Sequence, residues 1–105
     1  MSKEAKLNDA LTQVRSKFVV SCQERSQTLL EAMRALETEL DQPEALAQVR
    51  RECHKLAGLA GSIGFTEIGN LAEVIDTRLK EGRAGWVVIE PMVKDLLQRL
   101  EGIKK

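Results

Sequence analysis

Aromatic side chains make up only 3% of the 105 residues, with two Phe, one Trp and no Tyr, and the chain holds one His, two Cys and two Pro. Each scarcity removes a class of function. One histidine and two cysteines, with no CxxC and no Cys/His cluster, do not assemble a zinc ligand set, so no metal site and no cofactor of its own are expected. A surplus of either charge is also missing: sixteen basic residues balance sixteen acidic ones. A nucleic-acid binder would carry a basic excess to neutralise phosphates, and a membrane-surface protein a polybasic patch. Neither partner is expected. The longest apolar stretch, Leu56 to Phe65, is interrupted by Ser62 and falls well short of the roughly 20 residues of a membrane span. Met1 to Lys6 is charged and polar, and no apolar run of signal-peptide length follows. The expectation is a free-standing cytoplasmic protein, a single domain over residues 1–105, with Cys22 and Cys53 as buried thiols in a reducing compartment. A chain of this length buries about 60 to 65% of its unfolded surface. It has no room for a nucleotide-binding enzyme with a second catalytic domain.

What is present is helical punctuation. Neither Gly nor Pro occurs between Ser2 and Leu40, and the seven glycines fall at 58 to 69, 82 to 85 and 102. Breakers therefore sit where periodic runs end, and strand-type alternation is absent. Leu7, Leu11, Val14 and Phe18 predict a short first amphipathic helix. Cys22, Leu29, Met33, Leu36 and Leu40 predict a second, with a kink near residues 15 to 18 if the two are one. Asp41 and Gln42 before Pro43 mark the start of a third, which turns Leu46, Val49, Cys53, Leu56 and Ala60 inward and ends in the run Gly61 to Gly64. Thr66 is the predicted N-cap of a fourth helix with Ile68, Leu71, Ile75 and Leu79 buried, closed by Glu81 to Gly85. Pro91 lies in the first turns of a fifth, whose stripe is Val88 or Ile89, Met92 or Val93, Leu96, Leu100 and Ile103. Four long stripes with short connections predict an all-α fold, an antiparallel four-helix bundle, with the short additional N-terminal helix lying across one end.

Chemistry has few candidates in such a chain, and His54 is the foremost. Each residue turns a helix by about 100°, so with Cys53 buried His54 stands at the flank of the apolar stripe, partly exposed. Arg50 and Arg51 lie one turn before it, Gly58 one turn after and Gly61 two turns after. A glycine in a helix interior costs about 0.8 to 1 kcal/mol against alanine. Alone, the histidine reads as a surface side chain and the glycines as a packing device. Together they strip side chains from beside the ring and let another macromolecule approach it.

The run His54-Lys55-Leu56-Ala57-Gly58-Leu59-Ala60-Gly61-Ser62-Ile63-Gly64-Phe65 resembles the signature of histidine-containing phosphotransfer domains. The matching positions are His54, Gly58, Gly61, Ser62, Gly64 and Phe65, and the helix pattern from about Val14 to Leu100 fits that family's bundle. Ala57 departs from it, standing where the family commonly has Lys or Arg. The resemblance implies a phosphoryl carrier rather than a turnover enzyme with an ATP site of its own. His54 would be the phosphoacceptor, with Lys55 and Arg51 offsetting phosphate charge and Arg50, Ala57, Gly58, Gly61 and Ser62 forming the surface for partner docking. The partners it implies are response-regulator receiver domains and a (hybrid) histidine kinase, the receiver bringing the aspartate, Mg²⁺ and a lysine. The carrier itself is expected to be a monomer. Imidazole suits the task because it titrates near neutrality, and phosphoryl transfer depends on positioning and electrostatics.

An imidazole attacking through one nitrogen benefits from a hydrogen bond on the other. If the helices on either side of residue 65 run antiparallel, Asp76 lies across from His54 and is the expected orienting acceptor, with Glu73 as second choice and pairing of Asp76 with Lys80 as the bland alternative. The competing function from another class is a non-catalytic helical adaptor that binds a signalling partner. A sensor-kinase dimerisation pair fits poorly, since Lys55 rather than an acid follows the histidine and no proline follows it before Pro91.

Overall fold

A computed structural model describes residues 3–38, 42–82 and 85–103. Among them are four α-helices and no strand: α1 (Lys3–Glu37), α2 (Gln42–Ser62), α3 (Thr66–Glu81) and α4 (Trp86–Glu101). α1 packs on α2 and α4, and α3 packs on the same two helices. This is a ring of neighbours in chain order, as short connections between antiparallel helices require. One cluster fills the centre, with Leu29, Val49, Cys53, Leu56, Ile75, Ile89, Val93 and Leu96 inaccessible to solvent. Burying one such aliphatic side chain contributes about 1.5 to 3 kcal/mol. Among the described residues, no helix is long and apolar enough to cross a membrane.

The expected additional N-terminal helix is not a separate element. Residues 3 to 37 form one helix, unbroken through 15–18, because nothing in that stretch ends a helix: it has no Gly or Pro. At 1.5 Å per residue, 35 residues reach about 52 Å, nearly the molecule's full 55 Å length. The other helices have 21, 16 and 16 residues. α1 therefore overhangs the bundle instead of folding across its end. Leu11 and Val14 stay 43% and 40% exposed, and the first buried residue is Phe18. The side chain of Leu7, and Leu40, Asp41 and residues 83–84, lie outside the described residues.

Elsewhere the apolar stripes are close to those expected, except that α3 buries Ile68, Gly69, Ala72 and Ile75 and leaves Leu71 and Leu79 only half-buried at the edge of the core. α2 buries Ala45, Val49, Cys53, Leu56 and Ala60, with Leu46 at the margin of the core. α4 chooses Ile89 and Val93 from the two alternatives in its register. Both cysteines are free and buried. Thr66, the expected N-cap of α3, is instead its first helical residue. The cap position belongs to Phe65, which makes no side-chain cap hydrogen bond. The apolar Phe65 serves the core there, its ring stacked 5.0 Å from that of Phe18.

The corner between α2 and α3 sets the relative placement of the two helices. Gly64 has φ +96°, a left-handed conformation glycine adopts without Cβ strain. The Phe65 N–H donates to the Ala60 carbonyl at 2.9 Å, the six-to-one bond that closes a helix as a Schellman motif. Arg15 of α1 donates from Nε to the Ile63 carbonyl at 2.8 Å, so a cation meets the negative end of α2.

Candidate functional site

Below that corner α2 and α3 approach closely. A Cβ at Gly69 would stand 3.0 Å from the Gly61 nitrogen and 3.2 Å from its Cα. Backbone lies against backbone there, so only glycine fits at 69 without moving a helix. Gly61 and Gly69 are equidistant from residue 65 along the chain, and so are His54 and Asp76. Two turns separate the pairs on each helix, which keeps them on one face. The tight seam at the glycines thereby sets the register that brings Asp76 opposite His54.

The imidazole is 79% exposed, while the Asp76 carboxylate is only 14% exposed. His54 Nδ1 lies 2.9 Å from Asp76 Oδ2. An ionised carboxylate only accepts hydrogen bonds, so the proton of this contact sits on Nδ1 and the Nε2 lone pair is left bare. Oδ1 of the same carboxylate accepts from Arg50 Nε at 3.3 Å. Among the described residues, Glu73 is exposed and makes no hydrogen bond or ion pair with His54, and Lys80 makes no ion pair with Asp76.

The remaining candidates are dispersed around the ring. Arg50, Arg51, Lys55 and Ala47 line a shallow depression of about 410 Å³ beside His54. Arg51 is turned from the ring toward Glu44, with Nη2 2.9 Å from Oε1. Lys55 is exposed and has no ion-pair partner among the described residues. Ala57 is half-buried against the core. Ser62 is exposed, and its hydroxyl donates to the Leu59 carbonyl at 2.9 Å. A Cβ at Gly58 or Gly61 would meet nothing within 4 Å, so neither glycine is there to admit another part of this chain. Burial pushes the Cys53 thiol up to about 12, with Asp76 and Glu52 adding to the rise. The residue next to the histidine is therefore an inert thiol at neutral pH.

Three participants escape sequence reasoning. Gly69 has a signal, its mirror placement to Gly61 about residue 65. Arg15 has none, because a contact across 48 residues leaves no local pattern. Arg50 reads from the sequence as part of a docking surface, and its bond to Asp76 depends on a register that only the fold supplies.

The bundle thus holds one imidazole in solvent, with one nitrogen occupied from below and open space beside it at Gly58 and Gly61. The match to a family model is specific: the Hpt domain model covers residues 13–103, and the chain belongs to the Hpt domain family. Hpt domains serve histidine phosphotransfer in phosphorelays and interact there with receiver domains and histidine kinases. No curated protein and no solved structure matches the chain.

Proposed function

We propose that this protein shuttles a phosphoryl group between receiver-domain aspartates through a phosphohistidine at His54. The observation that carries the reading is the exposed imidazole whose Nδ1 is held 2.9 Å from Asp76 Oδ2 over a helix face where Gly58 and Gly61 leave open space. Nε2 attacks the phosphorus of an aspartyl phosphate, the P–N bond forms, and the P–O bond breaks with its electron pair leaving on the partner's carboxylate. The positive charge the ring acquires is balanced by Asp76 through the retained Nδ1–H bond. Return of the phosphoryl group to another aspartate reverses these steps.

Magnesium belongs to the partner in this reading, where it neutralises charge on the transferring group. On this chain Lys55 supplies a cation beside the ring, and Arg51 adds charge when it releases Glu44. Arg50, Ala57, Gly58, Gly61 and Ser62 border the ring as the docking surface for receiver domains and a hybrid histidine kinase. A receiver sits flush there because no side chain projects from the two glycines. In this reading the protein acts as a monomeric cytoplasmic carrier.

The test is transfer of labelled phosphate from a panel of phosphorylated receivers. The wild-type protein should take up an acid-labile, base-stable label, and His54→Gln should take up none. Full labelling of the folded His54→Gln protein would refute the reading, and binding of receivers without any label would favour the adaptor.

A further inference from the structure

The Asp76 carboxylate is mostly withdrawn from water and lies against the ring. A buried negative charge needs a paired cation. Neutral His54 supplies none, and Lys80, one turn further along α3, does not pair with it. The cation is Arg50, one turn before His54 on α2, whose Nε donates to Oδ1 at 3.3 Å while Oδ2 faces the ring. Each carboxylate oxygen thus has one assigned partner.

We propose that Arg50 is a positioning residue that acts through Asp76: it holds the carboxylate rotated so that Oδ2 meets His54 Nδ1, and so selects the tautomer with Nε2 free to attack. The proposal rests on the phosphocarrier reading and reassigns Arg50 from the docking surface to the histidine's own support. Arginine suits the place because its planar fork fixes direction as well as charge. Its 48% exposure places it at the rim of the seam, where it covers Asp76 without covering the ring.

With Arg50 absent, the carboxylate is free to turn toward solvent. It then loses its hold on Nδ1, and the neutral ring reverts toward the Nε2–H tautomer usual for a free imidazole. That tautomer has its proton on the attacking nitrogen.

The experiment compares wild type, Arg50→Gln, Arg50→Lys, Asp76→Ala and the Arg50→Gln/Asp76→Ala pair. Nitrogen-15 NMR of the His54 ring reads the tautomer at high pH, without any partner. Receiver-to-His54 transfer is followed against receiver concentration. Arg50→Gln should move the ring signals toward the Nε2–H pattern and lower the saturating transfer rate about three- to fivefold, the scale of a partly exposed charge pair. Arg50→Lys should fall between it and wild type. In the Asp76→Ala background, Arg50→Gln should change the tautomer no further. An unchanged tautomer in Arg50→Gln overturns the proposal, as does a weaker half-saturation with an unchanged saturating rate, which would return Arg50 to docking. Should the wild type accept no phosphoryl group, the carrier reading fails, while the tautomer measurement still decides whether Arg50 orients Asp76.

Discussion

On the side of α2 that faces α3, an added Cβ at Gly69 would press on the Gly61 backbone at 3.0 Å, whereas on the outer side one at Gly58 or Gly61 would meet nothing within 4 Å. The same residue type thus answers two demands a few ångströms apart. Along the seam, glycine lets two helices close and so brings a carboxylate under the imidazole. On the outer face it does nothing for this chain's packing and still carries the helix penalty of glycine. A residue that weakens its own helix at a place where a side chain would meet nothing internal fits a surface kept flat for a partner. Stability and function are therefore separable by side: substitutions in the seam should disturb the fold first, and those on the open face should disturb transfer alone.

Gly69→Ala is the strongest challenge to the seam. Overpacking a close contact costs about 1 to 3 kcal/mol, and here the obstructing atoms are backbone, which cannot rotate aside. The better helix propensity of alanine offsets up to about 1 kcal/mol of that cost, so chemical denaturation should show a net loss of up to about 2 kcal/mol. The His54–Asp76 contact two turns away should loosen with it, visible as slower phosphoryl uptake by the protein that remains folded. Wild-type stability in Gly69→Ala would mean the helices are further apart than the geometry places them.

The seam also predicts a pH limit. Cys53, on the buried side of α2, is pushed from 9.0 up to about 12, chiefly by burial. The folded state keeps the thiol neutral where the unfolded chain ionises it, so the stabilisation is complete below pH 9 and is lost as pH rises from there toward 12. Stability should fall across that window by about 1.4 kcal/mol per pH unit for this one group. Cys53→Ala should start lower because of its cavity and show a shallower decline over the same range. Equal slopes would mean that the thiol ionises as readily folded as unfolded.

The range of each interaction decides how much of the fold and the site is legible in the sequence. The stripes of α2, α3 and α4 can be read because 3.6-residue periodicity is local, and Asp76 can be placed opposite His54 because one short turn sets the register. Helix α1 misleads: Leu11 and Val14 keep the spacing of a buried stripe, yet stay 43% and 40% exposed, and periodicity alone does not say whether a partner surface exists. Thr66 misleads in the opposite way, since its good capping chemistry loses to the stacking of Phe65 on Phe18, a contact that joins distant parts of the chain.

On the open face, Gly58→Gln should sharpen the comparison. Replacing glycine in the middle of α2 should raise stability by up to about 1 kcal/mol, since the new side chain projects into open space. Transfer from a receiver should nevertheless slow, because that side chain stands one turn from His54 where the partner must seat. A folded, stabilised protein with wild-type transfer kinetics would show that the glycine is not kept for docking.

The smallest effect concerns the charge that Ala57 lacks. Ala57 is half-buried against the core, and Lys55, next to His54 in the chain, is an exposed cation without an ion-pair partner among the described residues. A cation beside an exposed phosphoryl group contributes on the order of 1 kcal/mol or less after salt screening, which corresponds to a several-fold change in rate or lifetime. Lys55→Ala should shorten phosphohistidine lifetime or slow transfer by that factor at low salt, with the difference shrinking as salt is added. Ala57→Lys should act in the opposite sense, its aliphatic stem lying along the α3 flank and its ammonium reaching solvent. If neither substitution alters lifetime or rate at low salt, the open face supplies room and not charge, and the electrostatic support for the transferring group comes wholly from the receiver.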